Sequence, residues 1–363
     1  MKIRILLCCL LLKSVLLTRA QPAVHFPKTQ DRSISYQGKA LDSLIGFCSY
    51  KAIFFGECHT VFFEPDFKFR LICQLHETCG IRDVFMEIGH SAAFLFNGYL
   101  ETGDTSLLYH PRLAYMYQNG NYASFWRNLY LYNKGLAEAD KIRIYGVDFE
   151  RVEVFKVLLS LMPAGREIPG PLLPVFEKIK VLSVDTTLGH FDKRFAAELK
   201  TLADMFRQEE NAAKNFYGAA FPQVADIVRN ESPHTTHVDP RNKAWAAYME
   251  SVIRDQHIDK FVAFFGSAHM GYSYGHSMPN KIKALSGFEK KVLSINSVYF
   301  NVLGGQKNTL LPYAGLIKGK NRDFLFRTYL PGTDRAVVYR AQDIQDAELS
   351  RSADYVLLVD ESL

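Results

Sequence analysis

The chain has 363 residues, 48% of them hydrophobic and 22% charged, with a formal net charge of +5. That length and apolar content suffice for a large buried core and exclude a disordered chain. Acidic and basic residues alternate without a like-charge block, so nucleic acid is not an expected partner.

Residues 1–20 open with Met-Lys-Ile-Arg, run through an apolar stretch from Ile5 to Leu17 broken by Lys13, and close on Thr18-Arg19-Ala20. This is the pattern of a signal peptide cut after Ala20, in a segment too short and interrupted for a stable membrane span. The expected location is secreted or periplasmic. Cleavage removes Lys2, Arg4, Lys13 and Arg19 and leaves the rest close to neutral. Residues 21–35 are polar and aperiodic, which predicts a flexible tether, and 36–363 are expected to form one domain.

Within that domain short apolar runs alternate with longer segments of helical period. Predicted strands fall at Lys51 to Phe55, Asp83 to Glu87, Ile142 to Val147 and Phe261 to Phe265; predicted helices at Asp66 to Cys79, Ser91 to Glu101, Tyr122 to Ala139 and Arg151 to Leu161. Gly80 and Pro163 supply two of the stops. From Pro171 to Arg229 no strand is evident, and 171–237 reads as a helical insertion of two or three helices. Asp239-Pro240 predicts a helix start, with Asp239 as N-cap, running to about His257. Further strands are predicted at Lys291 to Phe300, Asp323 to Tyr329, Ala336 to Arg340 and Tyr355 to Val359. The fold class is therefore α/β, a mostly parallel central sheet flanked by helices.

The candidate chemistry sits at strand ends. Phe54-Phe55-Gly56 leads into Glu57-Cys58-His59, Val84-Phe85-Met86 into Glu87, Tyr145-Gly146-Val147 into Asp148 and Glu150, and Phe264-Phe265-Gly266 into Ser267-Ala268-His269. Ligands bind beyond the carboxyl ends of parallel strands, so these groups are expected to share one crevice. Glu57 and His59 stand two apart, on one face if the strand continues, and a carboxylate beside an imidazole suits a general base. Glu87 follows an apolar run, where an acid needs a partner. His276, on a Gly-rich loop, is a further candidate contact. The cysteines beyond the signal, Cys48, Cys58, Cys73 and Cys79, are even in number, which permits disulfides in an exported protein. Cys58 points away from Glu57 and His59 and is rejected as nucleophile. No Gly-x-Ser-x-Gly elbow, His-Glu-x-x-His helix, phosphate-binding loop or Cys-x-x-Cys pair occurs.

Gly56-Glu57-Cys58-His59, then Glu64, Lys68 and Arg70, then Val84-Phe85-Met86-Glu87, resembles the erythromycin-esterase-like proteins and their wider relatives, the ChaN-type and Tiki/TraB-type proteins, as a secreted bacterial member. Asn97 to Asp104, Arg241 to Met249 and Gly266 to His269 are similar to later segments of that group. The resemblance implies a pocket at the strand ends, with His59 activating water for attack on an ester and Glu57 and Glu87 in support. The basic residue implied on the first helix matches Lys68 or Arg70. One residue separates Glu57 from His59 where the esterases have two, a spacing more like the ChaN-type proteins.

The leading reading is a hydrolase of an ester or related acyl bond, needing no cofactor, with Glu57, His59, Glu87 and His269 catalytic. In it Glu64, Lys68, Arg70, Asp148, Glu150, Arg241 and His276 contact a small-molecule or acyl substrate. A second is a hydrolase or peptidase in which Glu57, His59, Glu87 and His269 bind Zn or Mn. A third is a non-enzymatic protein binding haem or another apolar ligand.

Overall fold

A computed structural model of the chain describes residues 23–27, 41–58, 61, 63–108, 121–151, 153–185, 187–189, 193–230, 232–271, 275–304, 309–314, 334–344 and 349–360. The signal segment 1–20, His59 and the strand predicted at Asp323 to Tyr329 lie outside the described residues.

The strands are β1 Ala23–Pro27, β2 Ala52–Glu57, β3 Asp83–Gly89, β4 Arg143–Asp148, β5 Phe261–Gly266, β6 Val292–Gly304, β7 Thr309–Ala314, β8 Asp334–Arg340 and β9 Tyr355–Asp360. They form one sheet in the order β1-β8-β9-β6-β2-β5-β3-β4, with β7 paired to β6. From β9 to β4 every neighbouring pair is parallel, and the antiparallel pairs are β1/β8, β8/β9 and β6/β7. β2 and β3 are buried at every residue, as strands covered on both faces must be, which is why they read as continuous apolar runs.

Besides a helical stretch at 41–45, ten α-helices surround the sheet among the described residues. They are α1 Phe63–Cys79, α2 His90–Thr102, α3 Asn121–Lys134, α4 Val154–Ser160, α5 Leu173–Val184, α6 Lys193–Gln208, α7 Glu210–Tyr217, α8 Phe221–Val228, α9 Val238–Asp255 and α10 Met278–Lys283. One face carries a core that runs from Phe55, Phe96 and Trp126 into Phe176, Phe195 and Phe216 of the insertion. The opposite face is packed by Phe54, Phe85, Phe261 and Phe265 against Trp245 and Met249 of α9. The insertion thus shares its hydrophobic core with the sheet.

The differences from the sequence reading have local causes. Ala23–Pro27, within the segment read as a tether, pairs antiparallel with β8; five residues are too few to display a period. β7 contains Pro312, a residue tolerated only where a strand's N–H need not pair, and among the described strands β7 pairs with β6 alone. The insertion has four α-helices, not two or three. α9 starts one residue before Asp239, with His237 at the N-cap position. Asp239 and Pro240 occupy its first turn, where an acid meets the positive end of the helix and no N–H is required.

The helix predicted to reach Ala139 ends at Lys134, and the last stretch is a single 3-10 turn, Glu138–Asp140. The helix predicted from Arg151 begins at Val154.

β4 lies at the end of the sheet, where unpaired backbone groups invite another strand. Two amide side chains occupy them. Asn97 Oδ1 accepts from Ile144 N at 2.9 Å while its Nδ2 donates to Ile144 O at 2.8 Å, and Asn133 does the same at Ile142.

Cys48 and Cys79 form a disulfide between the turn before β2 and the end of α1, with Cα atoms 5.0 Å apart. Cys58 and Cys73 are free thiols. Burial pushes the Cys73 thiol up to about 12, which leaves it a poor nucleophile at neutral pH.

Candidate functional site

Strand register brings the polar ends level. Glu57 pairs with Gly266, Gly56 with Asn296, and Gly89 with Asp148 after an irregularity in β3. β4 also presses close to β3: a Cβ at Gly146 would collide with the carbonyls of Ile88 and Gly89, so only glycine fits. Glu57, Glu87, Asp148 and the turn Ser267–His269 therefore emerge along one carboxyl edge.

Glu87 is only 9% exposed, and a carboxylate at that depth needs compensation. Arg241 Nη2 donates to its Oε1 at 2.6 Å, Gly266 N donates to Oε2 at 2.7 Å, and His269 Nε2 stands 3.6 Å from Oε1. Arg241 also takes Asp148 in two bonds, Nε to Oδ1 at 3.1 Å and Nη2 to Oδ2 at 2.8 Å. Its guanidinium lies over the Trp245 ring at 4.7 Å and near Phe149 at 5.5 Å. One arginine on the first turns of α9 thus ties together the ends of β3 and β4, a task suited to a planar fork that stays charged. Arg151 adds a second cation 3.6 Å from Asp148 Oδ2.

Burial pushes the Asp148 carboxyl up to about 7, with Arg241 pulling it down and the charge of Glu87 pushing it further up. Its ordinary value is 3.8, so the fold holds this proton more tightly than the unfolded chain does. The resulting stability is complete below about pH 4 and is lost as pH rises through about 7. Asp148→Asn is expected to remove that fall from a plot of Tm against pH; identical slopes in both proteins would contradict it.

His269 is 3% exposed, and its ring stacks on Trp245 with centroids 4.3 Å apart. Its Nδ1 is 2.5 Å from Asn242 Oδ1, and Asn242 Nδ2 donates to the carbonyl of His276 at 2.9 Å. That second bond fixes which end of the amide faces the imidazole. Oδ1 can only accept, so Nδ1 carries the proton and, in the neutral ring, Nε2 beside Glu87 keeps the lone pair. Asn242 was not singled out by sequence, although an asparagine beside Arg241 on a helix face shared with Trp245 and Met249 was its available signal.

Glu57 pairs with Lys68 of α1 at 2.5 Å, both almost fully buried. The ammonium sits among the rings of Phe264, Tyr122 and Phe125, at 5.0, 5.4 and 5.9 Å. Arg70, the other basic candidate, forms a surface pair with Asp66 four residues before it. Glu64, fully buried, accepts from Cys58 N at 3.2 Å and so holds the exit of β2. Ser267 Oγ donates to the Glu57 carbonyl at 3.1 Å, joining that exit to the turn bearing His269.

Glu150 does not cap the segment that follows it. Its Oε1 accepts from His90 N at 2.7 Å and from Asn230 Nδ2 at 2.7 Å, while Oε2 takes Ser91 N at 3.1 Å and the Ser91 hydroxyl. It therefore caps α2 from another strand end and ties the insertion to the site. Glu150→Ala is expected to cost roughly 2–4 kcal/mol, since several buried donors lose their acceptor at once. Urea unfolding would measure it, and a loss below about 1 kcal/mol would contradict the capping role. His276 presents only its backbone carbonyl to the cluster; its side chain is exposed.

Among the described residues, no three His, Cys, Asp or Glu side chains gather as metal ligands do. Glu57 and Glu87 are instead engaged by Lys68 and Arg241. No described helix is long and apolar enough to cross a membrane.

No protein-family model matches the chain, and no curated protein matches its sequence. Solved structures do match its shape. A Bacillus cereus protein is 16% identical with a TM-score of 0.63, over 93% of this chain and 94% of that one. A succinoglycan biosynthesis protein is 16% identical with a TM-score of 0.61, over 93% and 94%. An erythromycin esterase mutant in its open conformation is 12% identical with a TM-score of 0.62, over 94% of this chain and 97% of that one. The chain accordingly has an erythromycin-esterase-like α/β fold.

Proposed function

We propose that the protein is an exported hydrolase of an ester or related acyl bond, acting through water activated at the carboxyl edge of the sheet. The observation that carries this reading is the triple contact of Glu87 with Arg241, Gly266 N and His269, held by residues far apart in sequence. His269 Nε2 takes a proton from water, and the imidazolium so formed is stabilised by Glu87 beside it. Arg241 makes its protein bonds through Nε and Nη2, which leaves Nη1 for the carbonyl oxygen and the oxyanion that follows attack. Lys68 and Glu57 keep the exit of β2 in place, and His59, two residues on in the sequence, is the second imidazole proposed to hold a proton. The disulfide between Cys48 and Cys79 suits an oxidising compartment and supports export.

Hydrolysis of simple aryl esters, with and without chelator, tests the reaction: turnover that survives chelation supports this reading, and turnover that needs added Zn or Mn rejects it. Export is tested separately by the N-terminus of the secreted protein. It should begin at Gln21, and an intact Met1 would overturn the cleavage.

A further inference from the structure

Trp245 of α9 is fully buried, and two groups that converge on Glu87 lie over its ring. His269 stacks on the indole with centroids 4.3 Å and planes 25° apart, and the Arg241 guanidinium carbon lies 4.7 Å from the ring centroid. Both reach the same carboxylate oxygen: Arg241 Nη2 stands 2.6 Å and His269 Nε2 3.6 Å from Glu87 Oε1. The plane of the indole therefore sets where the two side chains stand relative to Glu87. A stacked ring follows its partner when the partner tilts, because close face contact is kept only while the planes stay aligned.

Packing alone leaves a large ring some freedom to rock, and a directional bond at its one polar atom removes that freedom. Trp245 Nε1 donates to the Ser232 hydroxyl at 3.0 Å, in a buried bond. Ser232 is anchored in turn. Its N donates to Asn230 Oδ1 at 3.0 Å, and Asn230 Nδ2 donates to the Asp148 carbonyl and to Glu150 Oε1, both at 2.7 Å. A chain of bonds thus runs from the end of β4, through the segment that joins the insertion to α9, to the ring on which His269 stacks.

We propose that Ser232 and Trp245 are positioning residues for the carboxyl-edge site. The Ser232 hydroxyl fixes the indole plane, and the indole holds the His269 imidazole and the Arg241 guanidinium in place around Glu87. This role rests on the reading of that edge as the hydrolytic site, and it gives the insertion, to which Ser232 belongs, a part in the reaction.

The test removes the hydroxyl and reads both geometry and rate in the full chain. In Ser232→Ala the His269 Hε1 resonance, observed with ring-labelled histidine and assigned by its loss in His269→Asn, is expected to shift, because the ring current of a stacked indole depends on its tilt. The kcat for an aryl ester should fall about tenfold while KM changes by less than about twofold. In a Trp245→Phe background, where no N–H remains to be held, Ser232→Ala should change kcat by less than about twofold. If Trp245→Phe does not fold, the resonance and rate of Ser232→Ala decide. A serine that only satisfies a buried N–H would lower Tm in Ser232→Ala and leave the His269 resonance and kcat where they are, and that result overturns the proposal. A shifted resonance with unchanged kcat, or an undiminished effect of Ser232→Ala on Trp245→Phe, overturns it as well. If the parent turns over no ester at all, the hydrolytic reading fails by itself, and the His269 resonance still decides whether Ser232 holds the ring.

Discussion

Replacing His269 by Asn is expected to lower ester hydrolysis by about 10²–10⁴ while Tm moves by no more than about 2 °C. Asparagine keeps a polar group of comparable reach under Trp245, so the packing of α9 is largely preserved. What disappears is the Nε2 lone pair beside Glu87, which the bond from Nδ1 to Asn242 Oδ1 fixes on that side of the neutral ring. The loss should therefore fall on kcat, with KM little changed, since proton transfer rather than binding is removed. A structural histidine would behave differently, with Tm dropping and residual activity following the folded fraction. His59→Asn belongs in the same assay: a much larger loss there than at His269 would move the base to the first strand end.

Arg241→Leu should have the largest effect on folding, a loss of about 3–5 kcal/mol, together with loss of activity. The substitution strands two carboxylates, since Glu87 and Asp148 are both buried and both bonded to the same guanidinium. Removing one partner of a buried ion pair costs more than the pair itself contributes, because the remaining charge has no water to return to. A fall in Tm of roughly 4–7 °C would follow, and calorimetry would measure it. Adding Glu87→Gln and Asp148→Asn to the same chain should recover much of the stability but none of the activity. A single variant as stable as the parent would mean that the clamp contributes nothing to the fold.

The strand ends were legible in the sequence because each follows an uninterrupted apolar run, and β2, β3, β4 and β5 all fall within two residues of where those runs place them. Charge at the end of such a run is conspicuous, so Glu57, Glu87, Asp148 and His269 stand out in the sequence alone. Their partners were harder to see. Lys68 and Arg70 are both basic and two apart on one helix, hence on different faces, and only packing shows that Lys68 turns inward to Glu57 while Arg70 meets Asp66 at the surface. Asn242 carries no charge and no period, and its role depends on a carbonyl 34 residues away. Glu150 reads from the sequence as a strand-end acid and a candidate substrate contact, whereas the backbone groups it caps lie 59 and 60 residues earlier. Sequence spacing reports local chemistry well, and these three assignments are long-range.

The most direct test of the hydrolytic site is turnover of an aryl ester panel in heavy-oxygen water, using chelator-treated protein and following the acid product by mass spectrometry. The proposed mechanism requires one labelled oxygen in each product carboxylate, at a rate proportional to protein, abolished in Arg241→Leu and strongly reduced in His269→Asn. No turnover above background across the panel, or turnover that persists unchanged in both variants, would contradict the assignment of this edge as a water-activating acyl hydrolase site.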